Sequence, residues 1–167
     1  MTPSLASGMR IRSARFSDAG AIAALNNRFA SEGVMLFRKP DQIALSIDDY
    51  IVATNVRGTV IACGALKEYA PSLAEVAAIA VAPEAHGKGL GKAIVRAVEE
   101  LALKRGTTEI FALTLEPGFF EAVGFQRVER ARYPEKIRRD CIGCARRFAC
   151  IEICFAKEVG TPKKAAA

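Results

Sequence analysis

One stretch of this chain limits what it can fold into. From Leu73 to Ala82 every residue is apolar except Glu75. Pro83-Glu84-Ala85-His86-Gly87-Lys88-Gly89-Leu90-Gly91-Lys92 follows, and then Ile94, Val95, Val98, Leu101 and Ala102 recur at helical spacing up to Gly106. An apolar run of strand length, a glycine-rich loop and an amphipathic run predict a strand–loop–helix unit. Glycines let a backbone adopt φ > 0 and approach a ligand closely. The first N–H groups of a helix lack internal partners, and the helix dipole adds partial positive charge there. The junction therefore suits an anion, most simply a phosphate or pyrophosphate.

Length and composition narrow the setting. The chain has 167 residues, 51% hydrophobic and 25% charged, which fits one globular domain. That domain is expected over residues 9–159, with 129–159 as an Arg/Cys-rich extension of it and 1–8 and 160–167 as flexible termini. No apolar run is long enough to cross a membrane. The N-terminus lacks the apolar core of a secretory signal, so a cytoplasmic, reducing setting is expected. The five cysteines then read as thiols or metal ligands rather than disulfides. The net charge of +6 permits a phosphorylated ligand, an acidic small molecule or nucleic acid without choosing among them.

The remaining elements follow from pattern. Met9 to Arg15 reads as a strand. Ser17 and Asp18 are good N-caps for a helix carrying Ile22, Leu25 and Phe29 and ending near Gly33. Asp41 to Asp49 reads as a short helix. Tyr50 to Thr54 and Thr59 to Leu66 read as a hairpin around Arg57-Gly58. After the Gly-rich loop and its helix come a strand over Glu109 to Leu115, a short helix over Pro117 to Val123, and strands over Gly124 to Val128 and Ala149 to Ala156. The order predicts an α/β chain: a mixed sheet with helices on both faces.

At the loop the chain resembles the GNAT acyltransferases, the Gcn5-related N-acetyltransferases. His86-x-x-Gly89-x-Gly91 is similar to their Arg/Gln-x-x-Gly-x-Gly/Ala signature, with His in place of Arg or Gln, and Phe120-x-x-x-Gly124-Phe125 is similar to their Tyr-x-x-x-Gly-Phe. The resemblance covers about residues 9–128. It implies the GNAT fold, a twisted sheet of six to seven strands flanked by helices, and acetyl-CoA as cosubstrate. The pyrophosphate of CoA would rest on the amides from Gly87 to Gly91, with His86, Lys88, Leu90 and Lys92 around it. Pantetheine would pair with the backbone of Ile79, Ala80 and Val81, and Phe120 would pack along it. A narrower resemblance, to the short N-acetylglutamate synthases, rests on Glu32-Gly33-Val34-Met35-Leu36-Phe37-Arg38, Cys63-Gly64-Ala65-Leu66, Ala74-Glu75-Val76, Leu113-Thr114 with Phe119-Phe120, and Tyr133-Pro134-Glu135-Lys136 followed by Asp140-Cys141-x-x-Cys144. It implies acetyl transfer to the α-amine of L-glutamate, the first step of arginine biosynthesis.

The residues suit that chemistry. An amine attacks a thioester only when unprotonated, so a base is needed nearby. Glu75 is alone in an apolar run, where a carboxylate must be paired or raise its pKa, and the resemblance makes it the base. Backbone amides beyond Ala78 would stabilise the oxyanion, again by resemblance. Arg38 offers a bidentate fork for a substrate carboxylate, with Leu36 giving main-chain contacts. A second cation is sought at Lys136 or at Arg146-Arg147, with Arg146 the candidate carried forward. Phe120 stands where the superfamily often has a tyrosine that protonates the departing thiolate, and it cannot donate a proton. Core packing is the alternative reading of Phe120, and a salt bridge that of Glu75.

The tail leaves further readings open. Cys141-x2-Cys144-x5-Cys150-x3-Cys154 has a metal-like first pair. In a strand Cys150 and Cys154 would stand about 13 Å apart, so Cys141, Cys144 and Cys150 are the metal candidates, against free thiols or a redox pair. From Arg127 to Arg147 eight basic residues face three acidic ones, but no recognition motif accompanies them, and steering of anionic substrates explains the charge equally well. The rival functions are a GNAT acting on another amino acid, small amine or protein N-terminus, and a non-catalytic CoA- or metal-sensing module. A homodimer stays open.

Overall fold

The computed structural model describes residues 8–160. Apart from Gly8 and Gly160, the flexible termini expected at each end lie outside the described residues. Seven strands form one sheet in the order β1-β2-β3-β4-β5-β7-β6. They are β1 (Arg10–Ser13), β2 (Tyr50–Thr54), β3 (Val60–Ala70), β4 (Leu73–Val81), β5 (Glu109–Thr114), β6 (Gln126–Arg127) and β7 (Ile153–Glu158). The longer helices are α1 (Ala19–Ser31), α2 (Pro40–Leu45), α3 (Leu90–Lys104) and α4 (Pro117–Ala122). Two compact units are distinguished, one of the chain up to Lys67 with Val76–Leu101, the other of Glu68–Glu75 with the chain from Ala102 onward.

In the first unit β1, β2 and β3 form an antiparallel meander, with Ile11 opposite Ala53 and Val52 opposite Cys63. All five residues of β2 are buried, as expected for an apolar strand covered on both faces. Helix α1 buries Ile22, Ala23, Leu25 and Asn26, and Ile94, Val95 and Val98 of α3 are fully buried. Gly64 makes room for the helix: a Cβ there would lie 2.6 Å from Ile79 Cδ1 and 2.6 Å from Ile94 Cγ2. The Gly in Cys63-Gly64-Ala65 is thus a packing requirement.

The second unit holds the turn of the sheet from antiparallel to parallel. β4 pairs with β5 in parallel, Leu73 with Glu109 and Glu75 with Phe111. β7 pairs antiparallel with β5 and with β6. Its core is Leu73, Phe111, Tyr133, Cys154 and Ala156, with Tyr69, Ala70, Leu113 and Val128 packed against it. Phe111 and Tyr133 stack with ring centroids 4.2 Å apart.

Three expectations shift. The strand expected from Gly124 keeps only Gln126 and Arg127. The last strand begins at Ile153 rather than Ala149, because Arg130 Nη2 donates to the Glu152 carbonyl at 2.8 Å and draws that backbone out of the ladder. Asp18 stands at the N-cap of α1 without capping it. Its carboxylate instead accepts from Arg12 Nη1 at 2.7 Å, Arg12 Nη2 at 3.1 Å and the Arg15 N–H at 2.7 Å, a charged fork stronger than a neutral cap.

Hydrogen bonds from Arg12 hold the Asp18 carboxyl below its ordinary pKa. The contribution is therefore present above the unfolded carboxyl pKa and is lost as pH falls through the lower folded value. Asp18→Asn should lower unfolding free energy by about 1–2 kcal/mol at pH 7. The gap to wild type should close below about pH 4, as read by urea denaturation at both pH values.

Candidate active site

The loop expected to hold an anion joins β4 to a helix, as the sequence predicts. Pro83–Ala85 forms a 3-10 turn, and Leu90 opens the fifteen-residue helix α3. Gly87 and Gly89 have φ of 77° and 74°, in the region closed to most side chains, and a Cβ at either would meet nothing within 4 Å. His86, Gly87, Lys88 and Gly89 are exposed, as is Lys92, while Leu90 is buried and anchors the helix start. The His86 ring nitrogen Nε2 lies 2.8 Å from the Val81 carbonyl, which ties the loop back to the end of β4. Exposed glycines, a helix N-terminus and two exposed lysines are the features that suit a pyrophosphate.

β4 carries the other backbone feature. Ala78 has φ of 54°, unusual for a residue with a side chain. Around it burial changes phase: Leu73 to Val76 are all buried, then Ala78 and Ala80 alternate with half-exposed Ala77, Ile79 and Val81. The Cys63 thiol points at the Ala78 carbonyl at 3.5 Å. Burial pushes that thiol up to about 12, so Cys63 is a packing residue rather than a nucleophile.

The Leu36–Arg38 segment is held by α1. Asn26 Nδ2 donates to the Leu36 carbonyl at 2.9 Å. Asn27 grips Arg38 twice, donating from Nδ2 to its carbonyl at 2.9 Å and accepting its N–H on Oδ1 at 3.0 Å. Arg38 Nε is buried with no hydrogen-bond partner. Val34, Leu36 and Phe37 are exposed. Sequence reading missed the two asparagines, although Asn26 sits on the apolar stripe of Ile22, Leu25 and Phe29, where a polar residue is out of place.

Glu75 is 6% exposed, and one of its carboxylate oxygens meets two partners. Its Oε2 accepts from Lys136 Nζ at 2.9 Å and lies 2.9 Å from Tyr69 Oη. Lys136 Nζ also reaches Asp140 Oδ2 at 3.0 Å and Tyr69 Oη at 3.3 Å, and Tyr69 Oη bonds Asp140 Oδ2 as well. Lys136 ends the short helix α5 (Pro134–Lys136), and Asp140 lies on the π-helical turn Ile137–Cys141 that follows. The four residues come from two stretches, 69–75 and 136–140, so no local signal announced that Tyr69 and Asp140 would join Glu75 and Lys136. Burial pulls the Lys136 pKa down, but the facing carboxylates of Glu75 and Asp140 outweigh it and raise it overall. Burial, then the same two carboxylates, raises that of Tyr69.

The other predicted residues are placed as follows. Lys136, one candidate for the second cation, is committed to Glu75 and Asp140 and is corrected here to a carboxylate partner. Arg146 lies in the tail, its N–H donating to the Cys144 thiol at 3.4 Å. Phe120 is buried at 5% exposure, edge-on to Phe119 and Phe125 and stacked on Phe155, which leaves little ring surface for a ligand. Cys150 Sγ accepts from Arg130 Nη2 at 3.3 Å, and burial pushes the Cys154 thiol up to about 11. Among the described residues no three or more His, Cys, Asp or Glu side chains gather closely enough to hold a metal. The candidates Cys141, Cys144 and Cys150 are thereby corrected: their spacing suits a metal, but the irregular backbone after Asp140 does not converge their thiols. Among the described residues no helix is long and apolar enough to cross a membrane.

The profile of the acetyltransferase (GNAT) family matches residues 22–127, and the chain belongs to that family. It is 40% identical to an uncharacterized N-acetyltransferase of Chlorobaculum tepidum over 88% of this chain and 94% of that protein. It is 32% identical to an amino-acid acetyltransferase of Mycobacterium tuberculosis over 71% of this chain and 69% of that one. In fold it is similar to the N-acetylglutamate synthase of Neisseria gonorrhoeae complexed with coenzyme A and N-acetyl-glutamate, with a TM-score of 0.83 and 25% identity over 93% of this chain. The chain spans only 36% of the length of that synthase.

Lys136→Met should destabilise the fold by about 3 kcal/mol, since it strands the buried carboxylate of Glu75 and the partly exposed one of Asp140. Adding Glu75→Gln to it should recover part of the loss. Urea denaturation of both single variants and the double variant measures the coupling.

Proposed function

We propose that this acetyltransferase transfers an acetyl group from acetyl-CoA to the α-amine of L-glutamate, the first acetylation of arginine biosynthesis. The observation that carries the reading is the likeness, over nearly the whole of this chain, to a synthase complexed with coenzyme A and N-acetyl-glutamate. The amino-acid acetyltransferases among its sequence relatives support an amino-acid acceptor.

Acetyl-CoA supplies an activated thioester carbonyl. The amides of Gly87 to Gly91 bind its pyrophosphate, with His86, Lys88 and Lys92 adding donors and charge. The backbone of Ile79, Ala80 and Val81 binds pantetheine as an added strand. The turn of the backbone at Ala78 aims an amide at the carbonyl oxygen, where negative charge develops during attack. Arg38 holds one substrate carboxylate through its guanidinium, Leu36 contributes main-chain contacts, and Arg146 serves the second carboxylate. Glu75 takes the proton from the α-ammonium, directly or through one water, and so frees the lone pair for attack. No tyrosine stands at position 120, so the departing thiolate either takes its proton from water or leaves unassisted.

Release of CoA thiol, followed against a panel of amino acids, tests this. Glutamate should be the preferred acceptor, and Glu75→Gln should lower kcat about 100-fold or more. Arg38→Lys should raise the glutamate KM about tenfold with a smaller change in kcat, because an ammonium replaces a bidentate fork. Absence of glutamate turnover, or wild-type kcat in Glu75→Gln, would sink the reading.

A further inference from the structure

Tyr69 makes hydrogen-bond contacts with two carboxylates, and the protons around it can be counted. Lys136 has three N–H groups, directed at Glu75 Oε2, Asp140 Oδ2 and Tyr69 Oη. Tyr69 has one hydroxyl proton and faces both Glu75 Oε2 and Asp140 Oδ2. The one hydroxyl proton of Tyr69 thus has two carboxylate oxygens before it. If the Tyr69 proton lies toward Asp140, the 2.9 Å contact from Tyr69 Oη to Glu75 Oε2 joins two acceptors and has no proton.

We infer that Tyr69 and Asp140 form a proton exit from Glu75, with Lys136 fixing the geometry. This rests on Glu75 acting as the base. The proton Glu75 takes from the amine fills the contact with Tyr69 when the carboxyl carries it on Oε2. Tyr69 accepts it on Oη while giving its own hydroxyl proton to Asp140 Oδ2. The net change moves one proton from Glu75 to Asp140 and leaves Tyr69 unaltered. Glu75 has only 8% of its side chain exposed, whereas Asp140 has 26%, so Asp140 hands the proton to water. Tyr69 needs no phenolate state at any point, which matters because its hydroxyl holds its proton strongly. Arg139 sits 5.0 Å from the Tyr69 ring centroid and adds positive charge beside the path. The Cys141 thiol next to Asp140 and the Cys154 thiol from β7 also face these charges, and burial keeps both protonated. Tyr69 and Asp140 act through Glu75 and are positioning residues for the proton, not residues that touch substrate.

Tyr69→Phe and Asp140→Asn test the exit, with Glu75→Gln alongside, on whichever amino acid turns over best. Each relay variant should lose about tenfold or more in kcat while its KM for the amino acid stays within about twofold. The wild-type rate should depend on deuterium fraction along a curve, as several protons move together, and that curve should become a straight line in Tyr69→Phe. A purely structural role would shift KM and melting temperature and leave the curve unchanged. Wild-type kcat and deuterium dependence in both relay variants, beside an inactive Glu75→Gln, would overturn the exit alone. Wild-type kcat in Glu75→Gln would overturn the base as well. The Phe variant keeps the ring against Phe111, 5.5 Å away. Should it fail to fold, Asp140→Asn, at a partly exposed side chain, carries the same two outcomes.

Discussion

The ion pair between Glu75 and Lys136 is the constraint around which the second unit is arranged. A carboxylate in the middle of Leu73–Val81 would be costly to bury alone. Lys136 answers it at 2.9 Å, but a lone lysine would be costly too, so Asp140 and Tyr69 close the set. That requirement explains the shape of the tail. The short helix α5 and the π-helical turn after it bring Lys136 to Glu75 and place Asp140 against Lys136 and Tyr69, and π-turns are frequent at functional sites. The stacked Phe111 and Tyr133 rings hold the segment just before Lys136 against the core.

Strand β4 places different chemistry along one short stretch. Glu75 lies where β4 is still paired with β5. Three residues on, Ala78 takes a backbone conformation that few residues with a Cβ adopt. Strain of this kind persists only where surrounding structure fixes it, and here Gly64 on β3 lets Ile79 and Ile94 approach closely just beyond the turn. The strand ends in the exposed loop of Gly87 and Gly89. A buried carboxylate, a turned backbone and an exposed glycine loop are thus carried by consecutive parts of one strand and its loop.

Much of this was legible because it is written locally. The strand–loop–helix unit, the hairpin at Arg57-Gly58 and the span of α3 follow from apolar period and glycine position, which neighbouring residues decide. Misreadings fell where a distant partner intervened. Asp18 looks like a helix cap, yet Arg12 takes its carboxylate. Ala149–Glu152 looks like strand, yet Arg130 holds its end aside. Lys136 looks like a free cation for substrate, and the cysteine spacing looks like a metal site, because neither pattern reveals where the side chains end up.

The sequence by itself determined the family, the glycine-rich loop between strand and helix and the presence of one carboxylate in an apolar strand, since all three depend on residues adjacent in the chain. Only the tertiary structure decided what that carboxylate touches. Tyr69 lies six residues before Glu75, whereas Lys136 and Asp140 lie more than sixty after it. It likewise took the folded chain to show that Asn27 grips the backbone of Arg38. Pairings of this length are set by packing and by the need to neutralise buried charge, and neither leaves a periodic trace along the chain.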